Sequence, residues 1–311
     1  NFDPKLLNAL GMLFKWDTFN KIFMESNRTD TYIVPFIKGW HGAEISASPS
    51  KSYSHRVFII SMLAEGKTIA HNLLDQGDVF QTIKFCRLMG AKITKINEKT
   101  NSYEIEGLKS LEPPKQPIDC GNSGTSIRII ASLSALLNGP MLMYGEFFRR
   151  KRPMDPLLEA LEQIGIGYEK SEFEGSPSIK LIPTKLKLNT IKIRGDISSQ
   201  FITGLLIMAP LLKPDANVKE LTIEITTELK SASYIDITLG VMKRFGVSAR
   251  KEIDQATNLV VFKIPLGQKY IANEYTVPGD FSSAAFPISF AALKANFCTD
   301  PGDKQPIVIK N

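Results

Sequence analysis

Several short polar segments combine a hydroxyl or amide side chain with a cation, and each stands directly before an apolar segment. The first, residues 49–56 (Pro-Ser-Lys-Ser-Tyr-Ser-His-Arg), contains Lys51 together with Ser52 and Arg56, which would share one face of a helix. The unpaired N–H groups of a first helical turn and the helix dipole attract anions. The segment is therefore a candidate anion site, although on its own it is also typical of an ordinary N-cap with solvated cations.

Residues 122–128 (Asn-Ser-Gly-Thr-Ser-Ile-Arg) form a second segment of this kind. Asn122 begins it, Gly124 would let the backbone approach a ligand closely, and Arg128 stands at the start of the following apolar segment. The nucleotide-binding pattern G-x-x-x-x-G-K-[ST] does not occur in the chain. Taken alone, this segment is equally compatible with a turn that only connects two elements.

Four consecutive bases (Arg-Arg-Lys-Arg) occupy residues 149–152, before a predicted helix. They could be a solvated cluster, a nucleic-acid patch or an oxyanion clamp. Nucleic-acid binding favours bases along one face with exposed stacking aromatics, whereas the charges elsewhere are mixed, so we expect no nucleic-acid partner. A hydrogen bond to a charged group contributes about 1.5–3 kcal/mol. One helix end is therefore too weak to hold a phosphate, but several ends with Lys51, Arg56 and Arg152 would suffice.

Two further segments supply hydroxyls and an amide that suit a phosphorylated polyol. They contribute Ser198, Ser199, Gln200, Ser231 and Tyr234. The alternative is that both segments are simple N-caps. Neither a Ser/His/Asp nor a Cys/His catalytic arrangement is indicated, and His55 is interpreted as a structural residue.

The composition excludes several classes of protein. The 38 Lys+Arg and 32 Asp+Glu give a net charge of +6, a mild excess that suits a small anionic partner. The longest apolar run, residues 201–212, is shorter than the roughly 20 residues of a membrane span. Cys86, Cys120 and Cys298 are widely spaced, and the three His lack metal-ligand spacing. We therefore expect a cytoplasmic protein without membrane span, disulfide, metal or cofactor.

The polar segments belong to a repeat that occurs three times. Each copy reads as a polar turn, an apolar helix, a strand, a second helix and a strand pair. Ser52, Thr125 and Ser199 are the predicted N-caps of the first helices. The second helices carry Asp78, Asp155 and Asp236 near their predicted first turns and end at Gly90, Gly165 and Gly246.

The repeat predicts an α/β fold of tandem β-α-β-α-β-β units. Three units make one complete domain, predicted for residues 47–278, and a fourth unit begins at residue 279. Residues 32–46 and 279–311 are predicted to form part of a second domain, with strands at 32–37 and 42–46. Residues 1–31 read as an N-terminal extension without an assigned role.

Taken in order, the segments resemble the motifs of the 5-enolpyruvylshikimate-3-phosphate (EPSP) synthase family. Residues 150–154, 231–236 and 279–284 also match, so the resemblance covers the chain from about residue 32 to its end. It implies an inside-out α/β barrel architecture with two three-unit domains that close on shikimate 3-phosphate and phosphoenolpyruvate. It also implies transfer of the enolpyruvyl group to the 5-hydroxyl of shikimate 3-phosphate, with release of phosphate, in the shikimate pathway of aromatic amino acid biosynthesis.

The resemblance implies a role for each matching residue. Lys51 and Arg152 would be catalytic, and Lys51 would contact both substrates. Shikimate 3-phosphate would be bound by Lys51, Ser52, Arg56, Ser198, Ser199, Gln200, Ser231 and Tyr234. Phosphoenolpyruvate would be bound by Lys51, Asn122, Gly124, Arg128, Arg152 and Gln200. We expect a monomer whose partners are these two small molecules, without a metal.

One departure from the family bears on activity. The family's proton-transferring carboxylate and further Arg, His and Lys contacts correspond to positions beyond residue 311. A positioned acid or base contributes about 10²–10⁴-fold, so we expect this chain to be an incomplete copy that is nearly inactive alone.

Two alternative functions remain open. The sister enolpyruvyl transferase that acts on UDP-N-acetylglucosamine normally has Lys-Asn where Lys51 and Ser52 stand, and usually a Cys in the loop before Arg-Pro. This chain has Phe-Phe-Arg-Arg-Lys-Arg at residues 147–152. The other alternative is an anion-binding module without catalysis.

Overall fold

The computed structural model describes residues 43–187, 190–214, 217–297 and 307–310. The predicted extension at residues 1–31 and the predicted strand at 32–37 lie outside the described residues. The chain divides into two compact units. Residues 51–277 form the larger unit, and the described parts of residues 1–50 and 278–311 belong to the smaller one.

The described part of the smaller unit contains two paired strands and one helix; helices and strands are numbered here along the whole chain. Those of the smaller unit are β1 (Ala43–Ser46), α8 (Phe281–Phe297) and β14 (Ile307–Lys310). The two strands are parallel, with Glu44 opposite Val308. The N–H of Ala47 extends the pairing with a 2.7 Å hydrogen bond to the carbonyl oxygen of Lys310.

The larger unit contains the three repeats in succession. The first holds α1 (Lys51–Leu63), β2 (Lys67–His71), α2 (Asp78–Leu88), β3 (Lys92–Asn97) and β4 (Ser102–Glu106). The second holds β5 (Ile118–Asp119), α3 (Gly124–Leu133), β6 (Met141–Tyr144), the short α4 (Glu146–Arg149), α5 (Asp155–Gln163), β7 (Ile166–Phe173) and β8 (Ser176–Pro183). The third holds β9 (Ile191–Ile193), α6 (Ser199–Met208), β10 (Glu220–Ile225), α7 (Ala232–Arg244), β11 (Arg250–Ile253) and β12 (Val260–Pro265), followed by β13 (Glu274–Thr276).

Each repeat builds a four-stranded sheet with the same topology. The strand orders are β13-β2-β4-β3, β5-β6-β8-β7 and β9-β10-β12-β11. In each sheet three strands pair antiparallel and the short first strand joins the edge in parallel. The first sheet takes this edge strand from the far end of the unit, with Tyr275 of β13 opposite Ala70. The last strand of the larger unit therefore completes its first sheet.

The first helix of each repeat lies in the core. All residues of α3 are buried, and so are all residues of α6 except Gln200. A helix that is apolar on all sides lies in the core of a protein. Each sheet covers the helices with one of its faces. In β10, for example, the buried residues Leu221, Ile223 and Ile225 alternate with more exposed ones. Helices inside and sheets outside form the predicted inside-out α/β arrangement, in which the three sheets stay separate rather than closing into one barrel.

The ends of the second helices follow the sequence pattern more closely than their beginnings. Gly90, Gly165 and Gly246 all have positive φ angles, of 100°, 93° and 83°, as a left-handed residue after a helix requires. Asp78 and Asp155 begin α2 and α5. Asp236 is the fifth residue of α7, which begins at Ala232, so it lies just after the first turn rather than at the start of the helix.

The first helices begin earlier than predicted, so the three predicted N-caps are wrong. The side chain of Ser123 caps α3 by accepting from the N–H of Ser126, and Ser198 caps α6. Thr125 and Ser199 consequently lie inside their helices. Ser52 is the second residue of α1. Each turn contains several adjacent polar residues that can cap a helix, which explains the error of one or two positions.

Candidate anion-binding site

The N-terminal turns of four helices of the larger unit converge on one cavity of about 300 Å³. The turns are those of α1, α3, α6 and α7. The lining residues are Lys51, Ser52, Arg56, Thr125, Arg128, Ile197, Ser198, Ser199, Gln200, Ser231 and Tyr234. All eight residues predicted to bind shikimate 3-phosphate are among them, and so is Arg128.

Arg56 is the most deeply placed cation of the cavity, with 2% of its surface exposed. Its guanidinium donates to Thr238 Oγ1 at 2.8 Å, Thr203 Oγ1 at 3.0 Å and the carbonyl oxygens of Ser52 and Tyr234 at 2.6 and 3.0 Å. Burial lowers the pKa of Arg56 to about 10. The side chain is therefore fixed by the protein and still charged at neutral pH.

Arg128 is the second buried cation, and its guanidinium packs against two aromatic rings. Its guanidinium carbon lies 4.9 Å from the ring centre of Phe201 and 5.2 Å from that of Phe147, within the range of a cation–π contact. It donates to Gln200 Oε1 and, at 2.9 Å, to the carbonyl oxygen of Pro153. Burial and the nearby charge of Arg152 lower the pKa of Arg128 to about 10.

Gln200 connects two walls of the cavity. Its amide oxygen accepts from Arg128, and its amide nitrogen donates to Thr125 Oγ1 at 2.8 Å. Its backbone N–H donates to Ser198 Oγ at 3.3 Å, which is the cap of α6. The start of α6 is thereby tied to the start of α3, and the Gln200 amide is at the junction of the two predicted substrate subsites.

Lys51 and Tyr234 are exposed members of the lining. The Lys51 side chain is 48% exposed, and its Nζ lies 3.4 Å from Asp78 Oδ2. Tyr234 is 39% exposed. Ser231, which precedes α7, has a left-handed backbone with φ 56° and ψ 43°, a conformation that is uncommon for a residue with a side chain.

Asn122, Gly124 and Arg152 adjoin the cavity without lining it. Arg152 donates to the carbonyl oxygen of Asn122 at 3.3 Å, and its guanidinium lies 5.8 Å from the Phe147 ring centre. A Cβ atom on Gly124 would lie 3.5 Å from a guanidinium nitrogen of Arg128 and equally far from one of Arg152. Gly124 therefore stands between two cations, next to the cavity.

The other bases of the 149–152 run do not share this position. Arg149 donates to the carbonyl oxygen of Gly175, and Arg150 pairs with Glu146. Lys151 is exposed. Of the three interpretations of residues 149–152, the structure favours a solvated cluster. Arg152 is the one base of the four whose side chain points towards Asn122.

The three arginines of this site lack carboxylate partners in the described part of the chain, whereas Lys51 pairs with Asp78. Among the described residues, Arg56, Arg128 and Arg152 form no ion pair with Asp or Glu. Burying an unpaired charge is costly, and an anionic ligand would supply the missing counter-charge. The lining contains hydroxyls, an amide and cations but no carboxylate and no imidazole. The arrangement is suited to binding an anion with several oxygens rather than to moving a proton.

Four residues of the site were missed by the sequence reasoning. Thr125 and Ile197 line the cavity, and Thr203 and Thr238 hold Arg56 from α6 and α7. A Thr inside an otherwise apolar helix is the signal that could have indicated Thr203, since a buried hydroxyl needs a partner. Nothing in the sequence indicates which partner that is.

Comparison with known proteins now identifies the family. A family model described as "EPSP synthase (3-phosphoshikimate 1-carboxyvinyltransferase)" matches residues 41–298. The chain belongs to the EPSP synthase family. This membership disfavours the sister transferase that acts on UDP-N-acetylglucosamine.

Curated relatives within the EPSP synthase family support this membership. The 3-phosphoshikimate 1-carboxyvinyltransferase of Methanococcus vannielii is 41% identical over 250 residues, which are 80% of this chain and 56% of the relative. That of Methanocaldococcus jannaschii is 39% identical over 250 residues, which are 80% and 55% of the two chains. The chain thus spans little more than half the length of these relatives.

Solved structures show the same architecture. The EPSP synthase structure from Acinetobacter baumannii at 2.37 Å superimposes with a TM-score of 0.68 and 25% identity, covering 84% of this chain and 55% of that one. This likeness confirms the predicted inside-out α/β fold. Within the described ranges, no helix is long and apolar enough to cross a membrane. The same residues contain no group of three or more His, Cys, Asp or Glu that could hold a metal ion.

Proposed function

We propose that this chain binds shikimate 3-phosphate and phosphoenolpyruvate for transfer of the enolpyruvyl group to the shikimate 5-hydroxyl, with release of phosphate. The observation that carries the proposal is the convergence of four helix N-terminal turns and the unpaired cations Arg56 and Arg128 on one cavity. The relatives that carry the same activity in their names are similar over 80% of this chain. The predicted three-repeat domain, residues 47–278, would be the body that binds both substrates.

Shikimate 3-phosphate is assigned to the part of the cavity between α1, α6 and α7. Ser52, Ser198, Ser199 and Ser231 offer hydroxyls there, and the free N–H groups of the helix starts add further donors. Lys51 and Arg56 supply positive charge, Gln200 an amide and Tyr234 a phenol. A phosphate needs many donors, and ring hydroxyls need both donors and acceptors, so this lining suits a phosphorylated polyol.

Phosphoenolpyruvate is assigned to the adjoining region at the start of α3. Arg128 and Arg152 flank Gly124 there, and Asn122 lies beside Arg152. Two guanidinium groups can bind a phosphate or carboxylate in a bidentate manner. Lys51 and Gln200 would contact both substrates, and Lys51 and Arg152 would stabilise the charge that develops as phosphate departs.

The residues around this cavity hold and orient the substrates, and among the described lining residues there is no carboxylate or imidazole for proton transfer. A positioned acid or base contributes about 10²–10⁴-fold. We therefore expect the chain alone to bind shikimate 3-phosphate with little turnover. Its proposed setting is the cytoplasm, as a monomer that requires neither metal nor cofactor.

Calorimetric titration of the 311-residue chain tests the proposal. We expect shikimate 3-phosphate to bind, shikimate without the phosphate to bind at least tenfold more weakly, and UDP-N-acetylglucosamine not to bind. Equal affinity for shikimate and its phosphate would remove the assignment. Binding of inorganic phosphate as tightly as the sugar-acid phosphate would favour the non-catalytic anion-binding module. Phosphate release after addition of phosphoenolpyruvate would contradict the expected lack of turnover.

Two matched lysine variants distinguish this site from general charge effects. Lys51→Met removes a cation from the cavity, whereas Lys67→Met removes an exposed cation on β2 that pairs with Glu104. Both variants change the net charge equally. We expect at least tenfold weaker binding of shikimate 3-phosphate for Lys51→Met and unchanged binding for Lys67→Met.

A further inference from the structure

A chain of buried polar side chains lies behind the cavity, in the core. His55 Nδ1 on α1 is 2.8 Å from Thr82 Oγ1 on α2, and Thr82 Oγ1 is 2.8 Å from Ser126 Oγ on α3. Ser126 Oγ is also 2.7 Å from Oγ of Ser123 and 3.3 Å from the carbonyl oxygen of Asp78. All four side chains are at most 1% exposed, and none of them lines the cavity.

This hydrogen-bond chain joins the N-terminal halves of three helices. His55 stands between the cavity residues of α1, since Arg56 follows it and Lys51 is one turn earlier. Ser123 is the cap of α3, and Ser126 follows Thr125, which accepts from the Gln200 amide. The spacing between the α1 wall and the α3 wall of the cavity is thus set partly by polar contacts in the core.

The direction of each hydrogen bond follows from the available protons. One assignment of protons satisfies all of these contacts, and in it Ser126 donates to the carbonyl oxygen of Asp78, which can only accept. Ser126 Oγ must then accept from both Thr82 and Ser123. The single proton of Thr82 is committed to Ser126, so His55 Nδ1 has to donate to Thr82 Oγ1. The pattern assigns His55 as the neutral tautomer with its proton on Nδ1.

The other side of the imidazole supports this tautomer. Nε2 of His55 is buried and has no hydrogen-bond partner among the described residues. A buried donor without a partner is rarer than a buried acceptor without one, which favours a lone pair rather than a proton on Nε2. Burial, and then the charges of Lys51 and Arg56, lower the pKa of His55 to about 3, so the ring stays neutral.

We propose that His55 and Thr82 are positioning residues that hold the α1 and α3 walls of the cavity at the spacing that the substrate requires. The proposal rests on the proposed function only for the identity of the ligand. Neither side chain contacts the cavity, so both act through the helices that carry Lys51, Arg56 and Thr125.

Two substitutions of Thr82 separate the hydroxyl from the packing. Thr82→Val keeps the shape of the side chain and removes the hydroxyl, whereas Thr82→Ser keeps the hydroxyl and removes a methyl group. We expect Thr82→Val to weaken binding of shikimate 3-phosphate about tenfold, and Thr82→Ser to stay within about threefold of the unchanged chain. The reverse order would show that packing alone matters and would overturn the proposal.

Thr68 provides a matched control for the loss of a buried hydroxyl. It lies fully buried on β2, and its Oγ1 has no hydrogen-bond partner in the described part of the chain. Thr68→Val therefore makes the same chemical change in the same unit without touching the hydrogen-bond chain. We expect its affinity for shikimate 3-phosphate to be unchanged. An equal loss of affinity in Thr68→Val and Thr82→Val would contradict a specific role for Thr82.

A second measurement tests the hydrogen-bond chain without any ligand. The ¹⁵N chemical shifts of an imidazole distinguish its two neutral tautomers, and the chain has only three His to assign. We expect the Nδ1–H tautomer for His55, and its loss in Thr82→Val but not in Thr82→Ser. Imidazole ¹⁵N shifts of His55 that are the same in the unchanged chain and in Thr82→Val would overturn the proposal, because they would show that His55 does not bond to the Thr82 hydroxyl. Failure of the unchanged chain to bind shikimate 3-phosphate would instead count against the proposed function, while the tautomer result would still stand.

Discussion

The two buried arginines of the cavity differ in what holds them. Arg56, between α1, α6 and α7, makes four hydrogen bonds to protein oxygens and has no aromatic contact among the described residues. Arg128, between α3 and α6, lies between the Phe147 and Phe201 rings, and its Nε is buried without a partner. The first cation is held by hydrogen bonds to protein oxygens, whereas the second combines contacts to two aromatic rings with hydrogen bonds to Gln200 and Pro153.

This difference separates two ways of preparing a cation for a ligand. Arg56 is already in place, so a ligand gains its charge without reorganising the side chain. Arg128 donates to the Gln200 amide, a partner that can rotate away when a ligand arrives. We infer that the α1 side of the cavity is preorganised and that the α3 side adjusts as a substrate enters.

Replacement of both arginines by the same residue tests this contrast, and Arg56→Met has the largest expected effect. It leaves the carbonyl oxygen of Ser52 and the hydroxyl of Thr203 without their donor. We expect the free energy of unfolding to fall by about 2–3 kcal/mol and the affinity for shikimate 3-phosphate to fall about 100-fold. Urea unfolding and calorimetry measure the two effects. An exposed arginine of α2, Arg87, is the control, and Arg87→Met should change unfolding by less than about 0.5 kcal/mol.

The next largest effect concerns His55, which joins the two sides through Thr82. Its pKa is about 3 in the folded chain against 6.5 for an ordinary His. The unfolded state therefore binds more protons between these values, and stability falls as the pH is lowered below 6.5. We expect His55 to account for about 2 kcal/mol of the loss between pH 6.5 and 4.5. Urea unfolding of the unchanged chain and of His55→Asn across this pH range isolates the contribution of His55. If the free energy of unfolding changed with pH in the same way in both proteins, the prediction would be refuted.

A smaller effect on stability is expected for Arg128→Met. The substitution removes the hydrogen bonds to Gln200 and Pro153, but it also removes the cost of burying a charge without an ion-pair partner and places an apolar side chain between two phenyl rings. We expect the free energy of unfolding to stay within about 1 kcal/mol of the unchanged chain. A loss as large as that of Arg56→Met would erase the distinction between the two sides.

The smallest effect is expected at Ser231, whose left-handed backbone favours Gly. Ser231→Gly should raise the free energy of unfolding by about 0.5 kcal/mol and weaken binding of shikimate 3-phosphate about threefold through loss of the hydroxyl. Glu174 has φ 49° in an exposed turn outside the cavity. Glu174→Gly should give a similar gain in stability with unchanged binding. Weaker binding in both variants would show that the loss of affinity does not come from the Ser231 hydroxyl.

The repeat and most elements of the larger unit could be predicted because their signals are local. The Gly residues after α2, α5 and α7 and the apolar helices are visible in the sequence itself. The predicted β-α-β-α-β-β unit includes an edge strand, but the positions of β5, β9 and β13 were not predicted, since two or three residues carry no periodic pattern. Their existence depends on a neighbouring strand, which only the fold supplies.

The residues of the site could be predicted, but the hydrogen bonds between their side chains could not. Segment order indicated Lys51, Arg56 and Gln200, because each stands at the start of an apolar helix. The burial of Arg56 by Thr203 and Thr238 depends on side chains 147 and 182 residues away. Contacts at such distances follow from helix packing, which a single sequence does not display.

The β13 strand has a consequence for synthesis of the protein. It completes the first sheet from residues 274–276, whereas its partner β2 ends at residue 71. Translation adds roughly 5–20 residues per second, so the backbone groups along the edge of β2 await their partner for on the order of 10–40 s. Such an open edge can pair with another nascent chain. A chaperone that covers the edge of β2, or faster translation of the residues up to β13, would therefore matter more for the first repeat than for the two that follow.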